Sequence, residues 1–440
     1  MKRILIPSFV AFLLAIPATR ADDWPQWMGP NRDGVWGEKG ILDKFPKGGP
    51  KEVWRTKING GYSGPAVVGG LVYVMDYETK ADIRELSFPE RPKGGLDGKE
   101  RVLCLDARTG KEVWKHQYDC HYTVSYPAGP RCTPTVHAGK VYTLGSEGNL
   151  CCLDAKKGTL LWSKDFNKEY ASKTPKWGFT GHPLIDGKKL ICLVGGKGSL
   201  LVAFDKDTGG ELWKGLDSKD QGYCSPSIIT AGGKRQLLIW DPERIHSADP
   251  ETGKPYWSVA LKPNYGMSIM APRKRGDYLY AGGIAFVSAV FTLDGINEPK
   301  EKWRGDAKSG LSPVNATPLL EDDTIYGVDQ GGVMRAVDLA TGERLWDTTT
   351  LTTGAKTASS GTGFLVKNGD RHFLFNEKGE LVIVRLSRKG FEEIGRAKLL
   401  APTGVAFKDR DVVWSHPAFA DKCVFARNDK EIVCYSLAAE

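Results

Sequence analysis

The chain of 440 residues has no long apolar run after its first 18 residues, so nothing beyond them is long enough to cross a bilayer as a helix. It has no block of basic residues and no known nucleic-acid module, which argues against nucleic acid as a partner. It carries no P-loop, dinucleotide fingerprint, zincin motif or nucleophile elbow. No carboxylate-rich cluster marks a metal site. Histidine and methionine are scarce, at 7 and 6 residues. The 52 Gly and 25 Pro are spread too evenly for a low-complexity chain and suit many short strands joined by turns.

The start reads as a secretory leader. Lys2 and Arg3 precede an apolar run over residues 4–18, and small residues follow at Ala15, Ala18, Thr19 and Ala21. Residues 1–21 are therefore expected to be a signal peptide, leaving an exported, periplasmic or secreted protein. Cleavage after Ala21 leaves 58 basic against 53 acidic residues, a mild net charge of +5. The first cysteine is Cys104, far from the cut, so a lipid on cysteine there is not expected.

The dominant feature is a repeat. RVLCLDARTGKEVW ends at Trp114, CCLDAKKGTLLW at Trp162, LVAFDKDTGGELW at Trp213, IHSADPETGKPYW at Trp257 and MRAVDLATGERLW at Trp346. In each copy an Asp lies eight residues before the Trp and a Gly four before it. The apolar run before the Asp is a strand, the Asp-to-Gly stretch a turn, and the Trp segment a second strand. Two further strands precede each copy, as in SGPAVVGG and LVYVMD. Four antiparallel strands per unit of about 45 residues is the pattern of a propeller blade.

The tryptophan positions are Trp54, Trp114, Trp162, Trp213, Trp257, Trp303, Trp346 and, degenerate, Ile394, at intervals of 60, 48, 51, 44, 46, 43 and 48 residues. They imply an all-β, eight-bladed propeller over residues 51–440. The C-terminus supplies three strands without a tryptophan strand, and the N-terminus supplies that strand alone around Trp54, so the last blade is expected to close the ring from both ends. Residues 22–50, rich in Trp, Gly and Pro, read as a lead-in packed on the propeller. Pro65, Pro134, Pro183, Pro226, Pro272, Pro318 and Pro417 mark the starts of the innermost strands, with Thr362 in the eighth place.

The connections are uneven. First-to-second and third-to-fourth turns are mostly tight. Fourth-to-first connections such as 117–132 and 166–181 are long, and so is the second-to-third connection 76–100. These emerge on one face, where binding residues tend to sit. Arg131, His182, Tyr223, Asn315, Lys356 and His416 precede or open the innermost strands. They are expected to ring one mouth of the central channel as a ligand pocket. Cys120 and Cys132 flank one long loop. In an exported protein they can form a disulfide, adding about 3 kcal/mol through loop entropy, or stand as separate thiols. Nine cysteines is an odd number, so at least one is free or pairs between chains.

The Leu-Asp-x-x-Thr-Gly-x-x-x-Trp repeat resembles that of the pyrroloquinoline-quinone (PQQ) propeller family, across essentially all of the chain from Trp54. The family includes quinoprotein alcohol dehydrogenases and non-catalytic scaffolds, notably the propeller that helps assemble bacterial outer-membrane proteins. The resemblance implies that each Trp docks between blades on the small residue two places before the Asp. Here these are Cys104, Cys152, Ala203, Ser247, Ala336 and, by alignment, Thr292 and Cys434. It also raises Cys151 and Cys152 as an adjacent-cysteine disulfide of the dehydrogenase kind. Successive strand residues point to opposite faces, which disfavours that ring. A quinone held by calcium needs convergent carboxylates, and the strand starts carry almost none. The expectation is an exported, non-catalytic scaffold that binds a protein or an extracellular polymer, with no cofactor and no metal. The alternative is a PQQ- and calcium-dependent alcohol or sugar dehydrogenase.

Overall fold

Eight four-stranded antiparallel sheets form a closed propeller, with one extra two-stranded hairpin. The computed structural model describes residues 22–82, 84, 90–407 and 410–439; the leader expected at 1–21 lies outside them. Within each blade the strands follow chain order from the axis outwards. The first blade runs Ala66–Val68, Leu71–Glu78, Lys99–Asp106, Glu112–Asp119. Seven of the eight inner strands begin on the residue after the proline that the sequence marks, from Ala66 to Ala418. A proline there loses no ladder bond, since its missing N–H lies outside the strand.

The ring closes as expected. The strand Glu52–Lys57 pairs with Glu431–Ser436, which pairs with Cys423–Arg427 and then Ala418–Ala420. Arg427, fully buried, ties this blade to the first. Its guanidinium donates to the carbonyls of Asn59, at 2.6 Å, and Met75, at 2.5 Å.

Each repeat turn is built by its aspartate. The Asp106 carboxylate accepts from Arg108 N at 3.1 Å, Thr109 N at 2.9 Å and Thr109 Oγ1 at 2.8 Å. Gly110 completes the turn at φ +69°. The tryptophan of the preceding blade then lies on that glycine. A Cβ on Gly110 would meet Trp54 Cε3 at 2.5 Å, and Gly158, Gly209, Gly253 and Gly342 face Trp114, Trp162, Trp213 and Trp303 in the same way. In four of these five the indole N–H is also matched, Trp213 Nε1 being buried without a partner. Trp54 donates to Ala107 O at 2.8 Å, Trp114 to Ala155 O at 3.0 Å, Trp162 to Lys206 O at 3.2 Å, and Trp303 to Leu339 O at 2.9 Å. Each acceptor is the carbonyl just after the turn aspartate. The lock therefore combines ring burial on a residue without a side chain with one hydrogen bond.

This corrects the docking partner. The small residues do not receive the tryptophan of a neighbouring blade. They stand directly opposite the tryptophan of their own blade: Cys104 opposite Trp114, Cys152 opposite Trp162, Ala203 opposite Trp213, and Cys434 opposite Trp54. Small size there lets the ring lean outwards to the next blade. In the fifth blade the partner of Trp303 is Val290, not Thr292, because the longer turn shifts the register by two residues.

The lapses of the repeat have local causes. Trp257 faces the long turn of the fifth blade and donates instead to Gln236 Oε1 of its own blade at 2.9 Å. The seventh blade has Ile394 where a tryptophan would dock on the eighth. The eighth blade has no turn to receive one, because its third and fourth strands come from opposite ends of the chain. Phe45 of the lead-in comes within 3.3 Å of the Cβ position of neighbouring Gly395 instead.

Substituting Gly110 by Ala should cost roughly 2 kcal/mol or more, combining left-handed strain with displacement of Trp54. Gly187, at φ +60° with nothing within 4 Å of its Cβ position, should lose only about 1 kcal/mol on the same change. Chemical denaturation of the two variants checks the difference; equal losses would contradict a lock through Gly110.

Candidate functional site

The lead-in does more than pack on the body. It starts on the tight-turn face, where Trp24 pairs with Val67 and Asp23 Oδ1 accepts from Gly69 N at 2.9 Å. It ends on the same face at the seventh blade, where Trp36 N donates to Lys367 O at 2.8 Å beside the first turn of that blade. Between these points it enters the central channel. Met28 and Arg32 both take left-handed backbone, at φ 60° and 56°. Arg273 clamps that bend, donating to Arg32 O at 2.7 Å and Asp33 O at 3.2 Å.

Inside the channel Trp27 stacks on His182 with centroids 5.0 Å apart and donates its indole N–H to His416 Nε2 at 3.3 Å. The Arg32 guanidinium sits over Trp27, 5.5 Å from its centroid, and donates to His182 O at 2.8 Å. Burial holds His182 well below the usual histidine range, and it holds His416 at about 3, so both rings are neutral. Beside them lies a small pocket lined by Trp24, Met28, Phe364, Leu365, His416 and Pro417 among others.

The opposite face carries the long loops, and they are tied together. The buried Glu100 carboxylate accepts the hydroxyls of Tyr118 and Tyr122, and Ser146 N at 2.8 Å. Burial pushes its pKa up, against the pull of those three donors. Tyr122 stacks on Tyr77 at 3.8 Å, and Tyr77 donates to Leu96 O at 2.7 Å and Cys120 O at 2.9 Å. Glu147 accepts from Thr123 Oγ1 at 3.2 Å and Thr174 Oγ1 at 2.7 Å. The loops of the first three blades thus form one platform. At the channel mouth beside it, Tyr62, Val405, Val412, Trp414, Ser415 and Asp429 line a small pocket.

The six residues expected to ring a mouth do not act as one site. Arg131 is a loop staple. It donates to Trp177 O at 3.0 Å, to Ser125 O and Tyr126 O at 2.7 Å, to Ser146 Oγ at 3.2 Å and to Gly129 O, and lies over Tyr62 at 5.1 Å. Tyr223 is buried edge-on to Trp177 at 5.5 Å. His182 and His416 come together, but under Trp27. Asn315 donates to Thr362 Oγ1 at 3.2 Å, and Lys356 lies exposed on a loop. Trp27 and Arg32 were the residues that sequence reasoning missed; the tryptophan density of the lead-in was the available signal. Cys120 and Cys132 are free thiols in different packing clusters, Cys120 facing Asn149 Oδ1 at 3.9 Å and Cys132 facing Phe179 O at 3.7 Å, so no bridge joins them. Cys151 and Cys152 are also free and point into separate clusters, as neighbours on a strand must.

A calcium-held quinone would need carboxylates converging on the channel. Among the described residues no three His, Cys, Asp or Glu side chains come together as a metal-binding group. Glu100, Glu147 and Asp429 are committed to hydroxyls and backbone amides. The residues present do not fit that group.

Neutral His416 has a stability consequence. Its folded pKa lies below the unfolded value of about 6.5, so its contribution is complete above that pH and is lost as pH falls towards 3. His416→Gln can still accept the Trp27 indole N–H but does not titrate. Its denaturation midpoint should fall less than that of the wild type between pH 7 and pH 4; parallel losses would contradict a buried neutral ring.

Comparison with known proteins agrees with this architecture. The sequence model of the family described as outer membrane protein assembly factor BamB matches residues 98–289 and 241–440. The outer membrane protein assembly factor BamB of Burkholderia pseudomallei is 24% identical over 377 residues, 80% of this chain and 83% of that protein. The protein of the same name from Shewanella oneidensis is 22% identical over 233 residues, 49% of this chain and 56% of its own length, so that match spans little more than half of the relative. Among solved structures, BamB from Moraxella catarrhalis superposes with a TM-score of 0.57 at 18% identity, covering 89% of this chain and 98% of that one. The quinohemoprotein alcohol dehydrogenase of Comamonas testosteroni gives 0.59 at 14% identity, covering 95% and 81%. These two likenesses speak to the fold alone. On its repeat, its eight closed blades and the family match over most of its length, the chain belongs to the PQQ-repeat propeller family described as outer membrane protein assembly factor BamB.

Proposed function

We propose that this chain is an exported, non-catalytic scaffold that binds another protein of the cell envelope through its loop platform. One observation carries the reading. The loops of three successive blades are fastened to one another by Glu100, Glu147 and Arg131, so a broad surface is presented in one fixed shape. Preorganised loops on a rigid ring lower the ordering cost of association. The relatives are named for outer-membrane protein assembly, which supports a protein partner over an extracellular polymer. The leader-like start supports export. The carboxylates of Glu100, Glu147 and Asp429, already engaged by hydroxyls and backbone amides, favour a structural role over a reaction centre.

Deleting loop residues 78–98 should remove the envelope partners captured with the purified wild-type chain while leaving the far-ultraviolet circular dichroism unchanged. Partners retained by the deletion would overturn the platform reading. A new absorbance on adding PQQ and calcium, with dye reduction by alcohols or sugars, would overturn the non-catalytic one.

A further inference from the structure

Arg32 poses a charge problem that the fold does not solve. Its side chain is buried, at 6% exposure, in the middle of a propeller. Only Nη2 has a protein acceptor, the His182 carbonyl. Nε and Nη1 have none. No carboxylate of the described residues forms an ion pair with this guanidinium, and the groups that act on its charge are the thiols of Cys132, Cys192 and Cys224. Those thiols cannot supply the missing charge, because burial pushes all three up, Cys224 to about 12. The Trp27 ring offers a favourable face but no charge. A guanidinium does not escape by releasing its proton, so a buried one needs an anion.

The surroundings are built to hold one. The left-handed turn at Arg32 is held by two hydrogen bonds from Arg273, which aims the side chain inwards. His182, whose carbonyl takes the one bonded Arg32 nitrogen, carries a second unpartnered group on its ring. Ser225 Oγ accepts from His182 N at 3.1 Å and, with no other acceptor for its own hydrogen among the described residues, donates it to His182 Nδ1 at 2.9 Å. That leaves the ring proton on Nε2, which is buried and without a protein partner. Thr133 Oγ1, on the residue next to Cys132, is likewise buried and unpartnered. The neighbouring acid, Asp33, accepts from Val35 N at 3.0 Å and acts on Arg273, and it forms no ion pair with Arg32.

We propose that the central channel binds a small inorganic anion of halide size against the Arg32 guanidinium and His182 Nε2, as a resident counter-ion that locks the lead-in into the propeller. The thiols, the Trp27 ring and the close packing around the guanidinium favour a small, weakly hydrated ion over a bulky oxyanion. The site joins Arg32 of the lead-in to His182 of the third blade, so the anion stabilises the seated lead-in and not the blades alone.

The test uses the full-length protein exchanged into chloride-free sodium gluconate. Sodium chloride, bromide and phosphate are titrated at constant ionic strength while thermal unfolding is followed. Chloride and bromide should raise Tm saturably by roughly 2–4 °C, and phosphate should do less. Arg32→Met should lose the halide response. Crystals soaked in bromide should show an anomalous peak in contact with Arg32 and His182. A halide response unchanged in Arg32→Met, a phosphate effect larger than that of the halides, or the absence of a bromide peak at Arg32 would overturn the proposal. If Arg32→Met does not fold, the bromide diffraction of the wild type decides alone.

Discussion

The structure depends on a tryptophan laid on a glycine. A propeller blade is a flat sheet with two faces to bury, and a ring of blades holds only if each face finds its neighbour at close range. The repeat solves this with three residues. An aspartate caps its own turn, a glycine completes that turn without a side chain, and the preceding blade's tryptophan covers the glycine while donating to the carbonyl after the aspartate. Every part is local except the ring itself, which crosses to the next blade. Where the turn is absent, at the junction of the two chain ends, the tryptophan is absent as well, and Phe45 of the lead-in lies against Gly395. At that junction the interaction and its omission follow from the same requirement.

A closed ring leaves a polar axis, and the lead-in occupies it. Its passage from Trp24 to Trp36 touches the inner strands of the first and seventh blades and buries Trp27 and Arg32 in the channel. The tight-turn face is thereby covered by the chain's own N-terminal segment, while the loop face stays available. On that face two glutamates and one arginine convert three long loops into a single surface. The division of labour is physical: one face is used to hold the ring together, the other is free to meet a partner.

Much of this was legible because the repeat is. Fixed spacing of Asp, Gly and Trp gives strand order, blade number and the mixed closing blade, and proline marks the inner strands. The docking partner was less legible. Cys104 and Gly110 are both small and lie in the same motif, and only the register shows that Cys104 belongs opposite its own Trp114 while Gly110 receives Trp54. The mouth residues were placed by alignment ahead of the inner strands. What each side chain does there depends on contacts across the ring, such as Trp27 with His416, separated by 389 residues in sequence. No periodicity encodes such singular contacts. The spacing of Cys120 and Cys132 suggested a bridge, yet the two thiols turn into different clusters, since loop length says nothing of side-chain direction.

The central claim is that the loop platform, not the tight-turn face, meets the partner. Photoreactive residues placed one at a time in the living cell test it most directly. Exposed Lys93 and Lys176 sample the platform, and exposed Lys188 and Lys254 sample the turns of the other face. The account predicts a discrete crosslinked protein from the first two positions and none from the second two. Crosslinks confined to Lys188 and Lys254 would contradict it.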